Sequence, residues 1–180
     1  MSRAAVRLLP LVCPRCATPV PAATDQVAWV CAQCGQGMLL SDEKGVTPLD
    51  VFFSAELKSG QTGRPFWVTP ITVIPGRRDT YSGDRSAEMR EFWAAPRLFF
   101  VAAWTLALED LVKLGAEMLR HPVNISAGTP APFQPITLAP GDVRPLAEFI
   151  VMSIEAERAD ALKTLSFDLE LKAPQCWIIP

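Results

Sequence analysis

The strict alternation Leu165-Ser166-Phe167-Asp168-Leu169-Glu170-Leu171 predicts a half-buried β-strand, the clearest periodic signal in the chain. Residues 50–57, rich in Val and Phe, read as an earlier strand, 58–63 as a turn, and 64–74 as a second strand region in which Pro70 points to an edge position or a bulge. Pro75-Gly76-Arg77-Arg78-Asp79 reads as a turn. Ser86 can cap a short helix running to Ala95 and stopped by Pro96, and 97–104 reads as an aromatic-rich strand. Leu108, Leu111, Val112, Gly115, Met118 and Leu119 then recur at helical spacing, with Thr105 as a candidate cap and His121-Pro122 as the stop. A Pro-, Gly- and Ala-rich loop spans 123–141. Asp142 can cap a longer helix whose buried face is Leu146, Phe149, Ile150, Ser153, Ile154 and Ala161, leaving Glu148, Glu155, Arg158 and Asp160 for solvent. Cys176 to Ile179 reads as a last short strand. Strands interspersed with two main helices indicate an α+β class with a mixed or antiparallel sheet.

One internal likeness stands out: Pro70-Ile71-Thr72-Val73-Ile74-Pro75-Gly76 and Pro135-Ile136-Thr137-Leu138-Ala139-Pro140-Gly141 match closely. The residues C-terminal to the two copies differ, so recurrence of an edge strand and turn explains the likeness more simply than a duplication.

The N-terminal quarter has a different character. Between Leu8 and Leu40 the only charges are Arg15 and Asp25, while Leu11, Val27, Trp29, Met38 and Leu39 are apolar. Two C-x-x-C knuckles lie here, Cys13-Pro14-Arg15-Cys16 and Cys31-Ala32-Gln33-Cys34-Gly35, with fourteen residues between them. Each tight turn brings two sulfurs together, and its amides can donate to them. Four soft ligands at this spacing suit a tetrahedral site with no open position, structural rather than catalytic. Residues 26–30 read as a strand entering the second knuckle, Ala22 to Asp25 as a turn, and Met38-Leu39-Leu40 as the strand leaving it. Gly35 and Gly37 suit left-handed backbone.

Over residues 11–42 this arrangement resembles the zinc-ribbon superfamily. The resemblance implies that Cys13, Cys16, Cys31 and Cys34 ligate one structural Zn²⁺. It says little about function, because ribbons serve many unrelated roles. The spacer is slightly shorter than the commonest range, and iron sites of the rubredoxin kind, the nearest rival, use longer ones. Disulfides would call for a secretory leader, and Leu8-Leu9-Pro10-Leu11-Val12 is a short apolar run broken by proline. A redox dithiol would call for a thioredoxin-like unit, for which there is no pattern. The expected organisation is a ribbon over residues 1–42, a polar connector over 41–49, and an α+β domain over 50–180. Cys176 reads as a small buried hydrophobe.

Composition narrows the classes. Half of the 180 residues are apolar and a fifth are charged, a globular balance, and five Trp and nine Phe supply a core. The longest apolar stretch, Leu98 to Leu108, falls short of the ~20 residues that span a bilayer, so no membrane segment is expected. Reduced thiols favour a cytoplasmic location. The formal charge is −2, and four thiolates around one Zn²⁺ make it more negative still. Neither value suits a nucleic-acid binder.

No catalytic constellation emerges. The single histidine, His121, sits at a helix end where the dipole favours a cation. No nucleotide-binding glycine motif is present. The arginines between Arg64 and Arg97 interleave with Asp79, Asp84, Glu88 and Glu91, which reads as a salt-bridged surface, with Arg77-Arg78 as the best candidate for a phosphate contact. The ribbon's apolar residues exceed what so small a unit can hide, so it is expected to dock on its own chain or on a partner, with Trp29 as anchor. The leading expectation is a zinc-binding, non-enzymatic adaptor or assembly protein with a protein partner. A nucleic-acid or transcription-associated factor ranks second, and an enzyme with an unrecognised α+β site third.

Overall fold

The computed structural model describes residues 10–21, 23–41 and 44–180. Leu8 and Leu9 of the apolar run, Ala22 of the expected turn, and Asp42 and Glu43 of the connector lie outside the described residues.

Among the described residues the fold is α+β, with two sheets and three α-helices. The smaller sheet is antiparallel in the order β1 (Ala28–Val30), β2 (Gly37–Ser41), β3 (Gly45–Leu49). The third strand occupies the stretch expected as a connector. Pro48 hid it, yet Pro48 is exposed on an edge strand, where proline is tolerated.

The larger sheet is built on β5 (Arg64–Ser82), a single 19-residue strand. Along one edge it pairs with β6 (Arg97–Ala102), antiparallel. Its other edge carries β7 (Ala161–Leu171) and then β8 (Gln175–Ile179), which succeed one another in nearly continuous antiparallel register. The break between them, residues 172–174, falls opposite Thr69 and Pro70, where the Thr69 hydroxyl donates to the Lys172 carbonyl at 2.8 Å. Beyond β8, β4 (Val51–Phe53) pairs with it in parallel, which makes the sheet mixed.

The expected turn at Pro75–Asp79 is instead strand. Gly76 is required there because a Cβ would come within 2.7 Å of Ser166 Oγ. That hydroxyl accepts the Arg77 N–H at 2.7 Å, and the register slips between Pro75 and Arg78. A bulge absorbs the two residue types that usually end a strand. Across from it, the outer edge of β7 is shielded: the Leu169 N–H donates to Asp168 Oδ1 at 2.7 Å, and the Leu169 carbonyl accepts from Arg144 Nη2 at 2.6 Å.

Helix α1 (Ser86–Phe92) links β5 to β6, α2 (Leu108–Arg120) comes after β6, and α3 (Val143–Ala156) precedes β7. None is capped by the expected side chain. Ser86 is already inside α1, and its N–H is taken by Asp84 Oδ1 at 2.8 Å. Thr105 Oγ1 meets Thr137 Oγ1 at 2.9 Å, and Ala107 is the N-cap of α2. Asp142 accepts from the Ala139 N–H in a 3₁₀ turn, Pro140–Asp142, that leads into α3. Helix α2 packs along β6 and against α3, where Gly115 lets the buried Ile150 approach so closely that a Cβ would lie 2.4 Å from its Cδ1. Phe66, Trp67, Ile71, Phe99, Phe100, Ile150 and Ile178 fill the core.

The segment between α2 and α3 acts as a strap. It bridges to Ser54, just past β4, through Ala127, to Gly63 through Phe133, and to Ala28 of β1 through Ile136, and its Leu138 carbonyl accepts from Trp67 Nε1 at 2.8 Å. The likeness between 70–76 and 135–141 is therefore one of sequence alone: the first lies inside β5, the second in this strap.

Three of the four charged residues expected to face solvent after Leu146 do not. Glu155 is fully buried, where it accepts from Trp93 Nε1 at 2.9 Å and from Arg158 through both oxygens at 2.7 Å. Arg158 is largely covered, and the Asp160 side chain is enclosed.

Candidate metal centre

The two knuckles are built to the same plan. Cys13 N–H donates to the Thr18 carbonyl at 2.9 Å, and the Ala17 N–H returns to the Cys13 carbonyl at 2.8 Å. In the second knuckle Cys31 N–H donates to the Gln36 carbonyl and the Gly35 N–H to the Cys31 carbonyl, both at 2.9 Å. Each turn leaves through a left-handed residue, Ala17 at φ 58° and Gly35 at φ 72°. The second uses the residue type for which that conformation is unstrained, while Ala17 tolerates it at a cost of roughly 1–2 kcal/mol. Gly37 is a glycine for another reason: its φ is not positive, and a Cβ would lie 2.3 Å from the Leu49 carbonyl oxygen of β3.

This geometry gathers Cys13, Cys16, Cys31 and Cys34, whose sulfurs all lie within 4.8 Å of one another. Cys13 Sγ is 3.6 Å from Cys34 Sγ, and Cys16 Sγ is 3.6 Å from Cys31 Sγ, so each close pair joins one knuckle to the other. A disulfide needs about 2.05 Å. A tetrahedral ion with Zn–S bonds of about 2.3 Å sets its sulfurs about 3.8 Å apart. The spacing thus fits a closed four-sulfur shell for a thiophilic ion, and the four cysteines are positioned to bind a metal.

Amides and hydroxyls tune the sulfurs. The Thr18 hydroxyl, 3.2 Å from Cys16 Sγ, and then the Thr18 N–H bring Cys16 down to about 6. Cys34 takes the matching N–H from Gln36, which pulls its pKa down, but burial and the neighbouring thiols outweigh it and push Cys34 up to about 12. Four thiolates at this distance repel one another, and a divalent cation among them offsets half of their charge.

The centre rests on a small core of its own. Cys13, Trp29, Cys31 and Met38 are buried together, with Val20, Leu40 and Val46 packed around them. Trp29 belongs to this cluster, its Nε1 donating to Gln26 Oε1 at 2.9 Å. The anchor on the larger core is its neighbour Ala28, 1% exposed, backed by the Val27 N–H donating to the Ile136 carbonyl at 2.9 Å. Strand alternation sends adjacent side chains to opposite faces, and the larger ring serves the metal side. A cleft of about 230 Å³ remains between Pro19, Trp29, Val30 and the strap residues Phe133 and Pro135.

The other candidates do not converge. Cys176 is buried in β8, where loss of solvent pushes its thiol up to about 12. His121 is exposed at the C-cap of α2. Arg77 and Arg78 separate: Arg77 is 76% exposed and paired with Asp79, whereas Arg78 is enclosed with Asp160 and Glu155. Of the two, only the Arg77 side chain reaches solvent. The enclosed cluster of Arg78, Glu155, Arg158 and Asp160 escaped sequence reasoning because its members lie on β5 and around the end of α3, far apart in the chain. Among the described residues, no helix is long and apolar enough to cross a membrane.

No family model, no curated protein and no solved structure matches this chain.

Proposed function

We propose that Cys13, Cys16, Cys31 and Cys34 hold one structural Zn²⁺, and that the protein is a non-enzymatic adaptor or assembly module presenting its ribbon and α+β domain to a protein partner. The observation that carries the metal reading is the four-sulfur cluster, with its 3.6 Å contacts between knuckles. An all-sulfur, four-coordinate shell leaves no position for water or substrate, and this sets zinc to holding the fold rather than to chemistry. Cys13 and Cys31 close the shell from inside the small core, and Cys16 from the surface. The non-enzymatic part of the reading rests on the engagement of the buried charged groups with one another, Arg78 with Asp160 and Glu155 with Arg158. Such groups are already committed and are poorly placed to serve a substrate.

Elemental analysis combined with X-ray absorption at the metal edge tests the proposal. About one zinc per chain with four sulfur neighbours is expected. Three sulfurs and one oxygen would mark an open, catalytic-type site, and iron in place of zinc would replace the assignment. For the adaptor role, partners recovered from the native host with the wild-type chain should be lost with Cys16→Ser. Turnover of a substrate by the intact chain would overturn it.

A further inference from the structure

Among the described residues, three of the seven exposed large apolar side chains gather at one groove. Leu108, Phe149 and Met152 are 48, 42 and 40% exposed, and all three line this groove between α2 and α3. The groove has a volume of about 720 Å³, and the half-buried Val112 is part of its lining. Other exposed large apolar residues, such as Ile74, Tyr81 and Leu98, lie apart on β5 and β6.

The charges around the groove are complementary to those of a second copy of the same groove. Its rim carries Glu109, Lys113, Arg120 and Glu157. Arg120 and Glu157 pair across the two helices at one end. Glu109 and Lys113 stand one turn apart on α2, in the order that favours pairing within a helix. Yet neither forms an ion pair among the described residues. One negative and one positive charge are thus left on the rim, beside Leu108 and Val112, which are also one turn apart. A partner of single charge sign would meet repulsion at one of the two. A surface bearing the same pattern in reverse satisfies both, and a two-fold axis generates that surface from the chain itself.

We infer that this groove is the contact surface of a symmetric dimer of this chain. Helix α2 crosses its copy antiparallel about a point between residues 109 and 113. Each Glu109 then faces Lys113 of the other copy, Leu108 and Val112 lie beside these pairs along the seam, and Phe149 and Met152 close over the joint from α3. About ten residues line the groove, against roughly 20–30 per side in a standard stable interface. The dimer is therefore weak and concentration-dependent. The inference shares no residue with the metal centre and stands or falls independently of it.

Sedimentation equilibrium on the full, metal-loaded chain, with metal content measured in the same samples, tests the inference. A reversible monomer–dimer equilibrium is expected, and Met152→Asp should reduce it to monomer. Lys113→Glu places like charges together twice and should raise the dissociation constant about tenfold or more. Adding Glu109→Lys to Lys113→Glu restores opposite charges and should recover association. Ile74→Asp, an exposed apolar change on another face, should leave the dimer intact. Circular dichroism melts establish that each variant is folded, and Phe149→Lys substitutes for Met152→Asp if the latter is not. A chain that stays monomeric at the highest concentration, or a dimer indifferent to Met152→Asp, overturns the inference. Failure of the charge swap to restore association overturns the antiparallel two-fold arrangement. A monomer whose groove takes up an amphipathic helical peptide assigns it to a different protein instead.

Discussion

Arg78 on β5 grips the carboxylate of Asp160 with both terminal nitrogens, Nη2 to Oδ1 at 2.7 Å and Nη1 to Oδ2, across 82 residues of sequence. Both side chains are enclosed, 2% and 0% exposed. The Arg85 N–H adds a third bond to Asp160 at 3.0 Å, and Glu155 lies alongside Arg78. The pair ties the far end of β5 to the turn between α3 and β7.

This pair makes stability depend on acid. The hydrogen bond from Arg78, against the cost of burial and with help from the Arg85 N–H, holds Asp160 below the usual carboxylate value of 3.8. In the unfolded chain it returns toward that value. Between the two, the unfolded state binds the extra proton, so stability falls as pH falls. The contribution is fully present above the unfolded value and is lost as pH drops through the depressed folded one. Asp160→Asn should lower the melting temperature at neutral pH and flatten its decline on the acid side. Equal acid slopes for the two proteins would show that Asp160 titrates normally.

Gly115 sets two familiar effects against each other. Gly→Ala inside a helix is worth about 1 kcal/mol in propensity, which alone would stabilise α2. The new Cβ would meet Ile150 Cδ1 at 2.4 Å and Cγ1 at 3.0 Å, and Ile150 is fully buried. Overpacking a core costs roughly 1–3 kcal/mol, so the net result should be a less stable protein. Ile150→Val removes the Cδ1 and should recover part of the loss, although it destabilises by about 0.5–1.5 kcal/mol on its own. A double-mutant cycle by urea unfolding reads this coupling, and additive losses would show that the two sites do not press on one another.

The readable and the hidden parts of this fold differ in the range of the forces involved. Cysteine spacing and the alternation at 165–171 are local, and both led to real structure: the sulfur cluster and β7. The period of α2 was equally plain. What sequence concealed depended on distant partners. Pro75 and Gly76 signal a turn until Ser166 arrives to hold the bulge. Glu155 and Asp160 look solvent-facing until Trp93 and Arg78, from other elements, enclose them. Trp29 was recognisable as a buried anchor by size, but only the strand's facing shows that it serves the metal side while Ala28 docks the ribbon.

Trp29→Ala should therefore act locally. Removing a buried Trp costs roughly 3–5 kcal/mol, and here that loss falls on a core whose other buried members are Met38 and two cysteines. Chelator-driven metal release should accelerate markedly, while melting of the main core, monitored by circular dichroism, shifts little. A large drop in that melt with unchanged metal release would place Trp29's packing on the α+β side instead.

Metal removal tests how the two cores are coupled. Of the four buried members of the small core, Cys13 and Cys31 are themselves candidate ligands. Without an ion, little but Trp29 and Met38 opposes the entropy of the knuckles and the repulsion of thiolates 3.6 Å apart. Binding energy at such a site is folding energy. Chelation should thus raise amide exchange across residues 13–40, while β5 and β8, paired within a separate and much larger core, stay protected. Lower pH should act in the same direction, because protons compete with the ion for thiolates, and Cys16→Ser should mimic it where Cys176→Ser does not. Exchange that rises equally in both cores would mean that the link from Val27 and Ala28 to Ile136 makes them one cooperative unit. Exchange unchanged throughout would mean that the knuckles fold without a metal.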